Sequence, residues 1–208
     1  MLNYFLDFYL FTLKFYFISS YLISIVFVTG NPNKLKEVKK ILELTGSSIR
    51  LISKDLDLPE LQGPSTREIS IEKVKSAVRL INGPCITEDT ALCFKALNGL
   101  PGPYIKWFLK DVGLEGLNKM LQGFTNKEAT ALCTFSYIEG PGMEPIIFEG
   151  STSGKIVEPR GTQNFGWDSI FEVEGTGLTY AEMTIDQKNE LSHRSKALSL
   201  LCQHLSNL

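Results

Sequence analysis

Acidic side chains that could hold a metal ion occur in two short segments of the chain. Glu60 ends a loop that already contains Asp55 and Asp57, and Glu88-Asp89 follows a short apolar run. Mg²⁺ in proteins is usually held by one or two carboxylates together with water and phosphate oxygens. A carboxylate beside such an ion can also accept a proton from an attacking water. A single acid is more typical of a solvated surface, so this prediction depends on the surrounding residues.

A second chemical feature lies at residues 26–34, with the sequence Val-Phe-Val-Thr-Gly-Asn-Pro-Asn-Lys. The apolar run at 21–28 predicts a buried strand, and Asn31-Pro32 is typical of a helix N-cap and first turn. A strand, a glycine turn and a helix N-terminus would aim free backbone N–H groups at one point, close to Lys34. That arrangement binds phosphate. An ordinary strand–helix junction gives the same local pattern, and the chain contains no Walker A sequence.

Aromatic and basic residues further along the chain could bind the rest of a nucleotide. Phe165-Gly166-Trp167-Asp168 places two rings around a glycine, which suits base stacking, although core packing is the commoner fate of such rings. His193-Arg194 begins the last predicted helix. A guanidinium only donates hydrogen bonds, so it suits a carbonyl oxygen and disfavours an amino group. The candidate phosphate or base donors are Lys34, Lys73, Lys106, Lys188 and Arg194.

The elements that must position these residues alternate between helix and strand at first and become β-rich later. Ser65 and Glu68 have the spacing of a capping box before a helix. The run at 85–87 predicts a short strand that ends at Glu88-Asp89-Thr90. Residues 129–138 and 145–157 flank a Gly-Pro-Gly turn and predict an antiparallel hairpin. This order predicts an α/β fold with a mixed sheet.

The helix after the glycine turn shows a clear division into two faces. Its inward face is predicted to carry Leu35, Val38, Ile41, Leu42 and Thr45, and its outward face Lys36, Glu37, Lys39 and Lys40.

The composition limits the partners and the number of domains. The chain has 208 residues, 43% of them hydrophobic, and a net charge of −2. One sizeable domain of two lobes fits this length, and nothing in the charge favours a nucleic-acid polymer or an anionic membrane. Residues 1–23 are crowded with Phe, Tyr, Leu and Ile but contain Asp7 and Lys14, so we expect an appended segment rather than a membrane span, with a targeting or membrane-surface role as the alternative. The domain that follows is predicted to cover 24–208.

Nine sequence blocks, taken in order, resemble the inosine triphosphate pyrophosphatase family, especially its eukaryotic members. The blocks are TGNPNK at 29–34, LPE at 58–60, EISIEK at 68–73, EDT at 88–90, LNGLPGPYIKWF at 97–108, ALCTF at 131–135, PRGTQNFGWD at 159–168, YAEM at 180–183 and SHR at 192–194. The match covers about residues 24–205, and the fixed order of the blocks is far more specific than any single block.

The resemblance implies a two-lobed α/β domain with a long mixed sheet and a homodimer. The sequence contains no N-glycosylation sequon, which favours a cytoplasmic location, and we expect no membrane partner. It also implies a hydrolase that needs Mg²⁺, with Mn²⁺ as a substitute. The implied substrates are ITP, dITP and XTP, cut between the α and β phosphates to give a monophosphate and pyrophosphate.

The resemblance also assigns roles to individual residues. Glu60 and Asp89 would hold the metal, and Asp89 would act as the general base. The implied substrate-binding residues are Thr29, Gly30, Asn31, Pro32, Asn33 and Lys34 for the triphosphate, Lys73, Asp89, Thr90 and Lys106 beside it, and Phe165, Gly166, Trp167, Asp168, Lys188, His193 and Arg194 for the base and sugar.

One departure from the family pattern lies inside the phosphate turn, where Pro32 and Asn33 replace the Ala or Lys that members often carry. Lys34 is kept, so we expect a weaker or redistributed grip on the triphosphate. Two other functions fit the same blocks. One is a nucleotide-binding module without turnover, and the other is a hydrolase for a different modified nucleotide.

Overall fold

A seven-stranded mixed sheet forms the centre of the computed structural model, which describes residues 23–45, 49–59, 61–162 and 165–207. The strand order is β2-β1-β3-β5-β6-β7, and β4 pairs with β3. The strands are β1 Ile23–Val28, β2 Ile49–Lys54, β3 Cys85–Phe94, β4 Pro101–Gly102, β5 Glu128–Ile138, β6 Ile146–Ile156 and β7 Phe171–Val173. Strands β1–β2 and β1–β3 are parallel, and the other pairs are antiparallel. The predicted mixed α/β fold is therefore confirmed.

Five α-helices pack around this sheet in the described part of the chain. They are α1 Pro32–Leu44, α2 Thr66–Ile81, α3 Ile105–Lys119, α4 Ile185–Leu191 and α5 His193–Leu205. The predicted caps are present: Asn31 caps α1, Ser65 caps α2, and Thr184 with Gln187 forms a complete capping box on α4. Helix α3 is broken at Gly113, whose φ of 65° and ψ of −173° are not helical.

Strand β3 is longer than the sequence pattern predicts. The prediction that it ends at Glu88-Asp89-Thr90 is wrong, because these residues lie in the middle of a ladder that pairs Cys85 with Ile138 and Phe94 with Ala129. The polar triplet looks like a strand end in sequence, yet each of its backbones is paired with β5. The candidate chemistry therefore lies along a strand and not in a loop after it.

Because side chains alternate along a strand, β3 presents two different faces. Ile86, Glu88 and Thr90 face one side, and Cys85, Thr87 and Asp89 face the other. Ile86 packs in a core with α1 and α5, formed by Ile25, Phe27, Val38, Ile41, Leu42, Cys133, Phe135, Tyr137, Phe148, Ala197, Leu198, Leu201 and Leu205. On the other side, Cys85 packs in a smaller core with α2, which includes Val28, Val74, Ala77, Val78 and Ile138.

A third core lies around the far end of β3 and makes the second lobe. It contains Leu92 and Phe94 of β3, Ala129 and Ala131 of β5, and residues of α3 and β7. The same two long strands therefore run through both lobes. The N-terminal segment up to residue 22 lies outside the described residues, as do 46–48, 60, 163–164 and 208. Within the described ranges, no helix combines the length and the apolar character needed to cross a membrane.

Candidate active site

A cleft of about 1070 Å³ brings together almost every predicted site residue that the structure describes. It is lined by Thr29, Gly30, Asn31, Pro32, Asn33, Lys34, Lys73, Asp89, Thr90, Lys106, Phe165, Gly166, Trp167, Asp168, His193 and Arg194. Lys188 reaches the same site through Asp168 at 2.5 Å. Glu60 lies outside the described residues. The cleft has the size and the mixed polar and apolar lining of a small-molecule site.

The predicted phosphate turn is formed between β1 and α1, but its N–H groups are not free as the sequence suggested. The Asn31 side chain accepts from the N–H groups of Asn33 at 3.0 Å and Lys34 at 3.2 Å. The N–H of Asn31 donates to the Thr29 hydroxyl at 3.1 Å. A side-chain N-cap satisfies the first helical donors, which explains why they are engaged. Phosphate binding at this turn would therefore depend on the helix dipole and on Lys34, because the first backbone N–H groups are already hydrogen-bonded.

The absence of a side chain at Gly30 matters because of a neighbouring acid. A Cβ atom at this position would lie 2.6 Å from a carboxylate oxygen of Asp55. Asp55 and Asp57 both line the cleft beside the turn. Two acids therefore lie beside the turn that leads into the N-terminus of α1.

Asp89 meets Lys73 across the interface between β3 and α2. The Lys73 ammonium donates to one carboxylate oxygen of Asp89 at 2.8 Å. The other oxygen, Oδ2, is buried and has no hydrogen-bond partner in the described part of the chain. A buried carboxylate oxygen without a donor is costly unless a ligand, metal or water satisfies it. This carboxylate is therefore held on one side and open on the other.

The residues around Asp89 fit a divalent cation. No group of three or more His, Cys, Asp or Glu residues forms a ready metal cage among the described residues. Mg²⁺ does not require one, because it is commonly held by one or two carboxylates plus phosphate oxygens. The open Oδ2 of Asp89 and the acids that line the cleft are hard oxygen donors of that kind.

Glu88, the neighbour of Asp89, is the centre of a buried charge cluster. Its Oε2 lies 2.6 Å from the Lys34 ammonium, and its Oε1 lies 3.3 Å from Nη2 of Arg194. Thr90 donates to the same Oε1 at 2.6 Å and Cys133 at 3.1 Å. Burial opposes the charged form, but Lys34 and Arg194 outweigh it and hold the pKa of Glu88 far below its ordinary value.

Glu37 extends this cluster from α1 to the other lobe. Its carboxylate contacts Nζ of Lys188 at 2.6 Å and also pairs with Nη1 of Arg194. The prediction that Glu37 lies on the outward face of α1 is therefore wrong. It sits four residues before the buried Ile41, so the helix turns it toward the sheet side, where two cations from α4 and α5 meet it.

The base-side end of the cleft is a cluster of rings. The His193 ring lies 5.7 Å from that of Tyr180 and 5.5 Å from that of Trp167, and the Trp167 and Tyr180 rings are 6.2 Å apart. Its Nδ1 contacts the Tyr180 hydroxyl at 3.3 Å, whereas Nε2 is buried without a partner in the described residues. Burial, reinforced by the positive charge of Arg194, lowers the pKa of His193 well below its ordinary value. The imidazole is therefore neutral.

Phe165 and Asp168 surround Lys188 at the same end of the cleft. The Lys188 ammonium lies 5.1 Å from the centroid of the Phe165 ring and pairs with the Asp168 carboxylate. Burial raises the pKa of Asp168, although Lys188 counteracts part of this effect. Arg194 lies 5.6 Å from the same Phe165 ring. Both predicted base-site cations are thus held by acids and by an aromatic face.

A glycine on β6 allows α5 to bring His193 and Arg194 this close to the sheet. A Cβ atom at Gly150 would overlap the backbone oxygen of His193 and the backbone nitrogen of Ala197. Ser192 caps α5 by accepting from the N–H of Ser195 at 3.1 Å. The first turn of α5 is therefore buried directly against the strand.

Comparison with known proteins identifies the chain. The model of the Ham1 family matches residues 25–204, which is most of the sequence. An inosine triphosphate pyrophosphatase of Puccinia graminis f. sp. tritici is 67% identical over 189 residues, covering 88% of this chain and 97% of that protein. This chain belongs to the Ham1 family.

Solved structures of the Ham1 family agree with the fold. A HAM1 protein from Coxiella burnetii superposes with a TM-score of 0.79 at 28% identity, covering 89% of this chain and 100% of that one. A protein from Mycobacterium abscessus, described as a nucleoside-triphosphatase and dITP/XTP pyrophosphatase, gives 0.68 at 28% identity, covering 86% and 97%. The predicted family is confirmed.

Sequence reasoning missed the structural importance of Glu37 and Glu88 in this Ham1 family chain. A signal existed for each. Glu37 lies three residues after Lys34 and four before Ile41, so it shares a helix surface with both. Glu88 alternates with Ile86, which places it on the same apolar face of β3. A charge at such a position requires buried partners, and the sequence does not say which ones.

Proposed function

We propose that this chain is a nucleoside triphosphate pyrophosphatase that hydrolyses the non-standard purine nucleotides ITP, dITP and XTP to the monophosphate and pyrophosphate. The observation that carries the proposal is the Asp89 carboxylate, fixed by Lys73 through one oxygen and open at the other. It lies in a cleft with a phosphate-type turn at one end and stacked rings at the other. Names of Ham1 family relatives support the same activity.

The metal belongs to this proposal. We place Mg²⁺, or Mn²⁺ in its place, on Asp89 and Glu60. A bound divalent cation supplies Lewis-acid polarisation and charge neutralisation of the phosphate oxygens. Asp89 would then help to hold the cation and also accept a proton, while Lys73 holds its Oδ1 in place.

The chain's own residues account for the remaining chemistry. Lys34, Lys73 and Lys106 neutralise the triphosphate, and the N-terminus of α1 adds its dipole. Asp89 accepts a proton from the attacking water while the oxygen of that water bonds to phosphorus. The phosphoanhydride bond between the α and β phosphates breaks, and pyrophosphate leaves with the electron pair. Phe165 holds the base by stacking, and the buried Trp167 supports this end of the cleft from the core.

Selectivity for the base rests on polar atoms that the fold leaves open. Nε2 of His193 and Nε of Arg194 are both buried and have no partner in the described residues. The Nε–H of Arg194 can only donate, so it suits the carbonyl oxygen at C6 of hypoxanthine and rejects the amino group of adenine. Guanine also carries that oxygen, so its exclusion must come from the pocket around C2.

The test is pyrophosphate release from ITP, dITP, XTP, GTP and ATP, with and without Mg²⁺ and with Mn²⁺. We expect release from the first three nucleotides and dependence on the metal. Orthophosphate as the first product would contradict the cleavage position, and equal turnover of GTP would contradict the base selectivity. ITP binding without turnover would favour a binding module, and turnover of another modified nucleotide alone would favour a different substrate.

The assembly and the compartment are part of the same proposal. We propose a homodimer, because the sequence resembles the inosine triphosphate pyrophosphatase family. We propose a cytoplasmic location, because the sequence contains no N-glycosylation sequon. Light scattering after gel filtration should give twice the monomer mass, and fractionation should place the protein in the cytosol.

A further inference from the structure

Four hydroxyl side chains lie between α2 and the sheet, directly beside Asp89. We call Thr66, Ser70, Thr87 and Thr134 the hydroxyl cluster. The Thr66 and Thr134 hydroxyls are 2.7 Å apart, Ser70 donates to the backbone oxygen of Thr134 at 3.5 Å, and Thr87 donates to the backbone oxygen of Ser70 at 3.4 Å. All four residues are buried, with exposed fractions of 1% or less.

The hydroxyl cluster adjoins the Lys73–Asp89 pair in both sequence and space. Thr134 is the cross-strand partner of Asp89, so the two side chains lie on the same face of the sheet. Lys73 follows Ser70 by three residues, one turn further along α2. The cluster and the pair therefore join the same helix to the same two strands.

Apolar packing alone does not explain why hydroxyls occupy this interface. The neighbouring contact between α2 and the sheet is apolar, formed by Val74, Ala77 and Val78. Apolar contact is not directional, so a helix can shift along it at little cost. Hydrogen bonds require specific distances and angles, so they fix the position of the helix along the strand.

We propose that the hydroxyl cluster positions Lys73 on Asp89, with Thr134 as its central positioning residue. The cluster fixes the axial position of α2, and that position sets the 2.8 Å contact between the Lys73 ammonium and the Asp89 carboxylate. Loss of the cluster lets Lys73 move, and the Asp89 carboxylate loses its orientation toward the reacting water. This inference rests on the proposed function, because Asp89 acts there as the general base.

The kinetic test compares Thr134→Val with two matched variants. Valine keeps the shape of threonine but cannot bond to Thr66. We expect kcat to fall about tenfold or more with little change in KM, since small displacements of catalytic groups are costly. Thr134→Ser should restore kcat. Ser136→Ala is the control, because Ser136 is buried two residues further along β5 and its hydroxyl has no partner in the described residues. Wild-type kcat in Thr134→Val would overturn the proposal.

A double-mutant cycle separates positioning from general loss of stability. Lys73→Met removes the group through which the cluster acts. In that background, Thr134→Val should have no further effect on kcat. Effects that multiply would show that Thr134 acts independently of Lys73 and would overturn the proposal. Thr66→Val removes the same hydrogen bond from the helix side, and it serves the same test if Thr134→Val does not fold.

A measurement without turnover distinguishes failure of this inference from failure of the proposed function. Acetylation of each lysine is followed by mass spectrometry, with exposed Lys119 as the internal reference. The rate at Lys73 relative to Lys119 should rise about threefold or more in Thr134→Val and stay constant in Ser136→Ala. Equal rates in all three proteins would contradict the inference, whichever nucleotide the wild-type enzyme hydrolyses.

Discussion

Two adjacent carboxylates, Glu88 and Asp89, lie on opposite faces of β3 in different surroundings. Glu88 faces α1 and α5, where two cations and two further donors surround it. Asp89 faces α2, where one lysine holds one oxygen and the other oxygen stays open. The chemistry of the two side chains is nearly the same, so the difference comes from what the helices bring to each face.

This contrast distinguishes a structural carboxylate, Glu88, from the carboxylate that is proposed to react, Asp89. A carboxylate that is paired with a cation at each oxygen is stable as an anion, which suits a group that holds Lys34 and Arg194 in place. A carboxylate with an open oxygen is costly to bury but can accept a metal or a proton. Loss of Glu88 should therefore reduce stability most, and loss of Asp89 should reduce turnover most.

Asp89→Asn should give the largest effect on activity. Asparagine keeps the size of the side chain but cannot act as a base, so we expect turnover of ITP to fall about a thousandfold while nucleotide binding is largely retained. Steady-state kinetics and calorimetric binding measure the two quantities. Asp111→Asn, an exposed position on α3, should match the wild type. Unchanged turnover in Asp89→Asn would remove the proposed division of roles.

Glu88→Gln should give the largest effect on stability. It leaves Lys34 and Arg194 without their shared anion in a buried site, which typically costs about 3–5 kcal/mol. Urea denaturation measures the change in the free energy of unfolding. The control is Glu128→Gln, which disturbs an ion pair with Lys95 at the surface and should change stability little. Equal stability in the two variants would show that the Glu88 cluster is not a structural centre.

Gly150→Ala tests the face of the sheet that packs against α5, and it leaves Asp89 on the other face unchanged. The added methyl group would push the first turn of α5 away from β6, so we expect a loss of about 1–3 kcal/mol and a raised KM for ITP. The acetylation rate of Lys73 should not change, since α2 packs on the other face. Gly140→Ala is the control, because nothing lies within 4 Å of its added Cβ atom. Equal effects of the two substitutions would contradict the close approach of α5.

The pH dependence of stability should show the buried His193 on the α5 side. Its pKa is well below the ordinary 6.5 because burial and Arg194 disfavour the charged form. The unfolded chain therefore binds a proton that the folded chain does not, and the free energy of unfolding falls below pH 6.5 by up to about 1.4 kcal/mol per unit. His193→Asn should show a shallower slope between pH 6.5 and 5 in urea titrations. Parallel curves would mean that His193 is solvated.

Much of the fold could be predicted because its signals are local. The inward face of α1 is set by helical spacing, and Val38, Ile41 and Leu42 are buried as expected. Thr45, which was also predicted to face inward, is exposed because the helix ends at Leu44. The hairpin of β5 and β6 follows from two β-rich runs around a Gly-Pro-Gly turn. The nine sequence blocks were the basis for predicting the family and the candidate site residues.

The remaining features depend on partners that are distant in sequence. Glu88 is separated by 54 residues from Lys34 and by 106 from Arg194, so no local pattern shows that its charge is balanced. The length of β3 was missed for a related reason. Its polar triplet is tolerated in a buried strand because helices on both sides bring cations to it.

The continuous pairing of β3 with β5 has a mechanical consequence. The ladder runs from Cys85 and Ile138 in one lobe to Phe94 and Ala129 in the other, so a single stiff ribbon crosses the floor of the cleft. A sharp hinge at this point would break the hydrogen bonds that flank Asp89. Any closing of the lobes around a nucleotide must therefore come from elastic bending and twisting of the ribbon and from the loops around it. Such a motion would bring the two walls together while Glu88 and Asp89 keep their pairing with Phe135 and Thr134.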